Sequence, residues 1–333
     1  MAKLRINLAC GVYDRTSALA DGVIEPEGVD LNFVPVGPAE LFSRMLHNEE
    51  FDVSEFSLSN YLTLLSRGDD RFVAIPVFPY RAFRHSMIWI NANSRIREPR
   101  DLAGKRIGIP QYSVTALLFL RGMLMHQYGV KPQDVEWFQS DPPLLELYLP
   151  PDLRLVHMGL GTHTGQVLDE MLENCKLDAV ANFFVPRGSY GASPHLHRLF
   201  DNVRQVEIDY FRATGIFPIM HVIAMRREVY ERNRWLAQSL VKAFHDAKEK
   251  CYERIRKLPP LYSLTPWLRL EMESSQRLFG EDMYPYGVAQ NLPTLSAAAV
   301  YSYEQGLSQR QVSVDEMFAR ETINAADPKL WGY

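Results

Sequence analysis

The chain has 333 residues, of which 47% are hydrophobic and 23% charged, and its formal net charge at pH 7 is −4. This length suits about two domains, and the scattered basic residues give no indication of a nucleic-acid-binding surface. No apolar run approaches the roughly 18 residues of a membrane span, so we expect neither nucleic acid nor a membrane as a partner. The three cysteines, Cys10, Cys175 and Cys251, lie far apart. Their spacing argues against a disulfide framework or a zinc–thiolate site and favours a reducing compartment.

The N-terminal segment up to Cys10 could be an export signal or the first strand of the fold. The tripeptide Leu-Ala-Cys at 8–10 resembles the cleavage site of a bacterial lipoprotein. A secretory signal needs an apolar stretch of roughly 7–15 residues before that site, whereas here Leu4, Ile6 and Leu8 alternate with polar residues. Because this alternation predicts a strand with one buried face, we expect a mature N-terminus and a cytoplasmic protein.

Strands and helices alternate along most of the chain. The predicted strands lie at 4–9, 29–36, 52–55, 72–79, 105–110, 134–138, 177–183 and 217–225. The predicted helices lie at 38–51, from 56 onward, at 111–129, at 165–174 and from 230 to about 258, with a loop at 140–154 and a mostly helical remainder. This order is typical of mainly parallel sheets that bind ligands near the carboxyl ends of their strands.

Two apolar strands each begin with a histidine, at His85 and His221. This similarity predicts two strands that cross between two lobes, near 84–90 and 218–225. We therefore predict an α/β fold with a discontinuous lobe I (1–86 plus 222–333), an inserted lobe II (87–221) and a ligand cleft between them.

Eight segments carry a resemblance to a known family. They are LACGVYDRT, EFDVSEFSLSNY, FVAIPVFPYRAFRHS, REPRDLAGKRIGIP, GIFPIMH, QSLVKAF, MYPYG and YSYEQGLS. In this order, over nearly the whole chain, they resemble the 4,5-dihydroxyphthalate decarboxylase family, which implies a fold similar to the type 2 periplasmic solute-binding proteins. Residues 140–193 depart from the Gly-Gly-Leu-Glu and Ser-Pro-Arg segments of that family, and this span is expected to line one wall of the cleft.

The resemblance implies that the protein removes one carboxylate from a hydroxylated aromatic dicarboxylate, such as 4,5-dihydroxyphthalate, to give protocatechuate. Direct loss of CO2 would leave an unstable aryl carbanion. A hydroxyl ortho or para to the carboxylate lets the ring carbon accept a proton first, and CO2 leaves as aromaticity returns. The site then needs a carboxylate clamp, an acid for the ring carbon and groups that polarise the phenol. This chemistry requires no organic cofactor, and we expect no metal.

Charged residues near the first crossing strand are the main candidates. Arg81 and Arg84 suit a substrate carboxylate, because a guanidinium can donate two hydrogen bonds to it; the alternative is two solvated arginines. An imidazole titrates near neutral pH, so His85 or His221 could protonate the ring carbon, with His85 favoured. Either could instead be a core histidine. Glu55 could act as a base toward the phenol or could be a surface residue.

Strand-to-helix loops supply the remaining candidates, because ligands sit at such loops. Exposed N–H groups at the start of the helix near residue 115 could bind a carboxylate, although Ser113 could simply cap that helix. His195 and His197 could both be metal ligands, but the indication is weak because no carboxylate motif lies nearby, and a surface loop is the better interpretation. Tyr284 and Tyr286 could close over an aromatic ligand. The substrate-binding candidates in the loops are Tyr13, Arg15, Ser54, Ser57, Gln111, Tyr112, Ser113 and Thr115.

Three functions compete. A cofactor-independent aromatic acid decarboxylase is the leading hypothesis. The others are a non-catalytic binding protein for small aromatic acids with the same fold, and another enzyme of this fold, such as those of the futalosine route to menaquinone. The lack of an export signal counts against transport, and the resembling segments fit the futalosine enzymes less well. The sequence leaves open the ring substitution of the substrate, which histidine donates the proton, and whether the chain forms a homo-oligomer.

Overall fold

A computed structural model describes residues 2–159, 165–183, 195–257 and 265–323. Its strands form two mixed sheets, of five and six strands within these ranges. The strands of one sheet lie between residues 4 and 75 and at 221–226, and those of the other lie between 88 and 198. This arrangement agrees with the predicted α/β class, while the exact lobe boundaries stay predictions.

The first sheet has the order β2-β1-β3-β11-β4. β1, β2 and β3 are parallel, whereas β11 lies antiparallel between β3 and β4. The last strand of the described residues therefore lies inside a sheet built from the first quarter of the chain. The bounds are β1 (Leu4–Cys10), β2 (Val29–Pro35), β3 (Val53–Ser57), β4 (Phe72–Ile75) and β11 (His221–Arg226).

The second sheet has the order β10-β5-β9-β6-β7-β8. β6 is parallel to β7 and β9, and β7 is parallel to β8, whereas β5 is antiparallel to both of its neighbours. β8 lies at the end of a span that the Pro-rich sequence predicted as loop. The bounds are β5 (Ile88–Asn91), β6 (Arg106–Ile109), β7 (Glu136–Gln139), β8 (Arg154–His157), β9 (Ala179–Ala181) and β10 (Leu196–Arg198).

Helices connect the strands and form the C-terminal region. The long helix predicted from residue 230 is two helices, because Asn233 leaves the helical conformation after α7. Among the described helices, none is long and apolar enough to span a membrane. The bounds are α1 (Ser17–Ala20), α2 (Pro38–Asn48), α3 (Leu58–Ser66), α4 (Thr115–Tyr128), α5 (Gly165–Glu173), α6 (Val203–Thr214), α7 (Arg227–Arg232), α8 (Trp235–Lys257), α9 (Leu268–Phe279), α10 (Leu292–Glu304) and α11 (Arg320–Ile323).

Within the described residues the chain crosses between the sheets twice, and the two crossings lie side by side. Arg81 and Ile219 form an antiparallel bridge. The carbonyl of Tyr80 accepts the N–H of Met220 at 2.8 Å, and the carbonyl of Pro218 accepts the N–H of Ala82 at 3.2 Å. These two segments form the hinge, and they place Tyr80, Arg81 and His221 at the junction of the two sheets.

β3 differs from an ordinary core strand because it buries polar residues. All five of its residues are buried, as expected for a strand covered on both faces. Three of them, however, are the polar residues Ser54, Glu55 and Ser57. A buried carboxylate is costly unless it is paired and hydrogen-bonded, so the partners of Glu55 direct attention to the functional site.

Candidate active site

Glu55 and His221 form a pair across neighbouring strands. β3 and β11 run antiparallel with His221 opposite Ser57 and Ile223 opposite Glu55, which puts the two side chains within reach. Nδ1 of His221 lies 2.5 Å from Oε1 of Glu55. The carboxylate is fully buried, whereas the imidazole is 11% exposed. The pair is therefore anchored in the core, and its histidine lies at the surface of the junction.

Three further donors hold the Glu55 carboxylate. The N–H of Gly11 donates to it at 2.9 Å, the hydroxyl of Tyr13 at 2.8 Å and the thiol of Cys10 at 3.4 Å. Burial alone would raise the pKa of Glu55, but His221, Gly11 and Tyr13 outweigh it and hold that pKa below its ordinary value. The carboxylate is thus ionised at neutral pH and accepts the Nδ1–H of the imidazole. Within the part of the chain that the structure describes, Nε2 of His221 forms no hydrogen bond.

Aromatic rings surround the exposed edge of the imidazole. The ring of Tyr80 lies 5.1 Å from the His221 ring, and Phe42 contacts it edge-on at 4.8 Å. Tyr13 stacks on Tyr80 at 6.0 Å with an interplanar angle of 6°. Flat aromatic side chains of this kind suit the faces of an aromatic ligand.

Arg84 brings a positive charge to the same junction. Its Nε donates to the sulfur of Met220 at 3.1 Å, and a terminal nitrogen donates to the sulfur of Met87 at 3.6 Å. Its guanidinium lies 5.7 Å from the Tyr80 ring. Burial lowers the pKa of Arg84 below its ordinary value. A hydrogen bond with Tyr80 and the nearby carboxylate of Glu207 oppose this shift. Thioether sulfurs are weak acceptors, so the nitrogens that contact Met220 and Met87 could bind a stronger acceptor such as a carboxylate.

Arg81 is held by the protein itself. Its guanidinium donates to the carbonyl of Pro285 at 2.9 Å and to the side-chain oxygen of Asn291, and the rings of Phe217 and Tyr284 lie 5.3 and 5.6 Å away. Burial lowers the pKa of Arg81 to about 10. Of the two predicted carboxylate clamps, Arg84 contacts Tyr80, whose ring contacts His221, and Arg81 joins the hinge to the C-terminal region.

Arg15 lies between two tyrosines at the edge of this junction. Its guanidinium is 4.5 Å from the ring centres of both Tyr13 and Tyr284, and its Nε donates to the carbonyl of Pro79 at 2.6 Å. Asp14 forms an ion pair with it at 2.8 Å. Arg15 therefore fixes the first loop against the hinge and fixes the orientation of Tyr13.

His85 lies in a different environment. Neither of its ring nitrogens has a hydrogen-bond partner among the described residues, and the rings of Phe200 and Tyr210 contact it at 5.3 and 5.2 Å. Burial lowers its pKa to about 4, although Nδ1 is 3.8 Å from a carboxylate oxygen of Glu207. His85 is thus neutral at pH 7 and is not among the contacts of the Glu55–His221 pair.

Hydroxyl groups connect the two sides of the junction. The hydroxyls of Ser57 and Thr115 lie 2.9 Å apart, and the N–H of Ser59 donates to Thr115 at 3.0 Å. The hydroxyl of Ser113 is buried without a partner in the described chain, while Ser54 donates to the carbonyl of Glu55. The amino-terminal ends of α3 and α4 therefore meet here, and both favour negative charge.

Gln111 and Tyr112 take structural roles. The amide of Gln111 donates to the carbonyl of Pro142, and Tyr112 is buried with Arg121 stacked 3.6 Å above its ring. His197 lies in β10, where it pairs with Ile90 of β5. No group of three or more His, Cys, Asp or Glu residues gathers within the described ranges as a metal site would require.

Some contacts of the site carried little sequence signal. Tyr80 precedes the singled-out Arg81 in PYRAFRHS and could have been considered with it. Phe42 and Met220 reach the site through α2 and the hinge and look like core residues in the sequence. Of the span at 140–193, residues 160–164 and 184–193 lie outside the described residues.

Comparisons with curated proteins identify close relatives. A 4,5-dihydroxyphthalate decarboxylase of Comamonas testosteroni is 33% identical over 324 residues, which are 96% of this chain and 97% of the relative. A protein of the same name from Pseudomonas putida is 36% identical over 219 residues, which cover 64% of this chain and 83% of the relative.

Other comparisons concern the fold. Residues 12–142 match a family model described as the phosphonate periplasmic substrate-binding protein of an ABC transporter. The aliphatic sulphonate-binding protein SsuA of Escherichia coli matches with a TM-score of 0.56 and 15% identity, covering 97% of this chain and 99% of that one. The desulfurization enzyme DszB in complex with biphenyl-2-sulfinic acid matches with a TM-score of 0.53 and 16% identity, covering 97% and 98%. These likenesses confirm the predicted periplasmic-binding-protein-like fold.

Proposed function

The chain belongs to the 4,5-dihydroxyphthalate decarboxylase family and is a carboxy-lyase, and from that premise we propose that it decarboxylates a hydroxylated aromatic dicarboxylate. The proposed substrate is of the 4,5-dihydroxyphthalate type, and the corresponding product is protocatechuate. One observation carries the proposal: the buried, ionised Glu55 accepts a hydrogen bond from His221 and leaves Nε2 of that imidazole to the junction between the sheets.

A single imidazole with a carboxylate behind it can serve both proton transfers. Nε2 of His221 accepts the phenol proton, and Glu55 stabilises the imidazolium that forms. The same proton then passes to the ring carbon that bears the carboxylate. The electron pair of the carbon–carbon bond returns to the ring as CO2 leaves, which gives a phenolate that takes up one proton from solvent. The reaction consumes one proton overall and balances without an organic cofactor or metal.

Binding of the substrate falls to the groups beside the pair. Arg84 supplies a buried cation for a carboxylate, and it contacts two thioether sulfurs and the side chain of Tyr80. The rings of Tyr80 and Phe42 suit the faces and edge of the substrate ring. Closely placed aromatic walls also exclude water, which strengthens the attraction between a guanidinium and a carboxylate.

The direct test is a substrate panel. Purified protein would be incubated with hydroxylated phthalates and benzoates, before and after treatment with a strong chelator, and CO2 and products would be measured. We expect release of CO2 from a hydroxylated phthalate, undiminished by the chelator. Binding without turnover across the panel would favour the non-catalytic binding protein, and activity that a divalent ion restores after chelation would contradict the metal-free mechanism.

A further inference from the structure

A cavity lies next to the hinge. It encloses about 350 Å³, and its lining includes Arg81 and Phe217 from the two crossing segments. The other lining residues come from the segment after β4, from α6, α8, α9, α10 and α11, and from the loops after α6 and before α10. Neither Glu55 nor His221 contributes to this lining. A ligand in the cavity would therefore touch both crossings of the hinge without occupying the proposed active site.

The cavity contains a buried positive charge without an anionic partner. Arg81 is only 6% exposed, and among the described residues its Nε has no hydrogen-bond partner. The carboxylate in the lining, Asp282, already pairs with Lys248 at 2.5 Å and accepts the hydroxyl of Tyr252 at 2.9 Å. The hydroxyl of Tyr286, also in the lining, has no partner in the described chain. A buried charge left unpaired is costly, so an anion would be stabilised beside Arg81.

The walls of the cavity are aromatic. Phe279 contacts Phe211 at 4.8 Å and stacks with Phe217 at 5.1 Å. Asn291 holds the opposite side by donating to the carbonyls of Pro285 and Gly287. Cavities of this size hold small organic ligands between apolar walls and a few polar groups. These walls fit one aromatic ring.

We propose that this cavity, which we call the hinge cavity, binds a single-ring aromatic monocarboxylate, with the carboxylate on Arg81 and the ring against Phe217 and Phe279. One guanidinium matches one carboxylate through two hydrogen bonds. A second carboxylate would face Asp282, which disfavours a dicarboxylate. The proposal concerns binding alone and does not depend on the reaction at His221.

Calorimetric titration of the full chain with benzoate tests the proposal. Gln290 is exposed and lines the cavity, so Gln290→Glu adds a negative charge there without disturbing the core. We expect wild type to bind benzoate, Gln290→Glu to bind at least about tenfold more weakly, and Gln290→Lys to bind more tightly. Gln309→Glu, at an exposed glutamine outside the lining, should match wild type. Benzamide, which lacks the charge, should bind at least about tenfold more weakly than benzoate.

An Arg84→Met variant separates this cavity from the proposed active site. Benzoate binding that survives Arg84→Met and weakens in Gln290→Glu supports the hinge cavity. Two binding events in wild type, one lost in each variant, support it equally. The proposal is overturned if wild type does not bind benzoate, if both Gln290 variants bind it like wild type, or if Arg84→Met alone abolishes binding. None of these readouts uses turnover, so they stand apart from the test of the proposed function.

Discussion

Glu55 and His221 are 166 residues apart in the chain, and Nδ1 of the histidine lies 2.5 Å from the carboxylate of the glutamate. The contact exists because β11 returns from the second sheet and inserts antiparallel between β3 and β4. His221 is the first residue of that strand, so it lies where the chain re-enters the first sheet. The hinge and the proposed proton-transfer group are thus the same segment.

Replacing His221 by Gln should lower turnover by about 10²–10⁴-fold, the usual range for loss of a general acid or base. Substrate binding should change little, because Arg84 and the aromatic walls remain. Steady-state kinetics would measure kcat and KM separately, with His197→Gln on the exposed face of β10 as the matched control. Full turnover in His221→Gln would remove this histidine from the mechanism.

Replacing Glu55 by Gln should lower turnover, and it should make the folding stability depend less on pH in the acid range. The pKa of Glu55 is held below its ordinary value in the folded protein. Its ionised form therefore contributes stability above the ordinary pKa of 4.5, and that contribution is lost as the pH falls through the lowered folded value. Thermal unfolding from pH 3 to 7 would show a shallower acid limb in the variant. An unchanged acid limb would mean that the pair does not stabilise the fold.

Arg84→Met should act mainly on substrate binding. A hydrogen bond to a charged group contributes about 1.5–3 kcal/mol, so KM should rise roughly tenfold to a hundredfold while kcat falls much less. Arg84→Lys should recover part of the loss, because it keeps the charge but not the planar fork. If kcat falls and KM does not change, Arg84 acts in the chemical step and does not hold a ground-state carboxylate.

The sequence predicted most of the elements of the first sheet and named both members of the Glu55–His221 pair. Alternation of apolar and polar residues is a local signal, and it sufficed for β1 and β2. The pairing itself was not predictable, because the insertion of β11 beside β3 depends on a return after more than 130 residues. For the same reason His85 was favoured over His221. In the sequence both stand at the start of an apolar segment, although in the structure His85 lies in a short 3-10 helix before β5. The sequence does not show that, among the described residues, His85 lacks a hydrogen-bond partner whereas His221 is hydrogen-bonded to Glu55.

His85→Gln tests the prediction from the sequence that His85 donates the proton. The neutral, enclosed imidazole forms no hydrogen bond with the described residues, so we expect near-normal turnover in this variant and strongly reduced turnover in His221→Gln. Parallel assays on the two variants decide between the histidines. If His85→Gln is inactive and His221→Gln keeps its activity, the donor is His85 and the proposed mechanism is reversed.

The last prediction concerns the pH dependence of folding at Glu207, whose carboxylate lies 3.8 Å from Nδ1 of His85. Burial raises the pKa of Glu207 from 4.5 to about 7, although Arg84 and Arg198 oppose the shift. Between these values the folded protein binds a proton that the unfolded chain has released, so stability is lost as the pH rises from about 4.5 through about 7.

Burial lowers the pKa of His85 from 6.5 to about 4, which has the opposite effect: its contribution is present above 6.5 and is lost as the pH falls through about 4. The two effects on folding stability oppose each other between pH 4.5 and 6.5. The loss of stability caused by ionised Glu207 should therefore be clearest above pH 7. Glu207→Gln should therefore raise the Tm at pH 8 and leave it nearly unchanged at pH 4, whereas Glu281→Gln, at an exposed position, should show no such trend. Melting curves from pH 4 to 8 measure this directly, and an equal change in Tm at both ends would show that the Glu207 carboxyl titrates alike in the folded and unfolded chains.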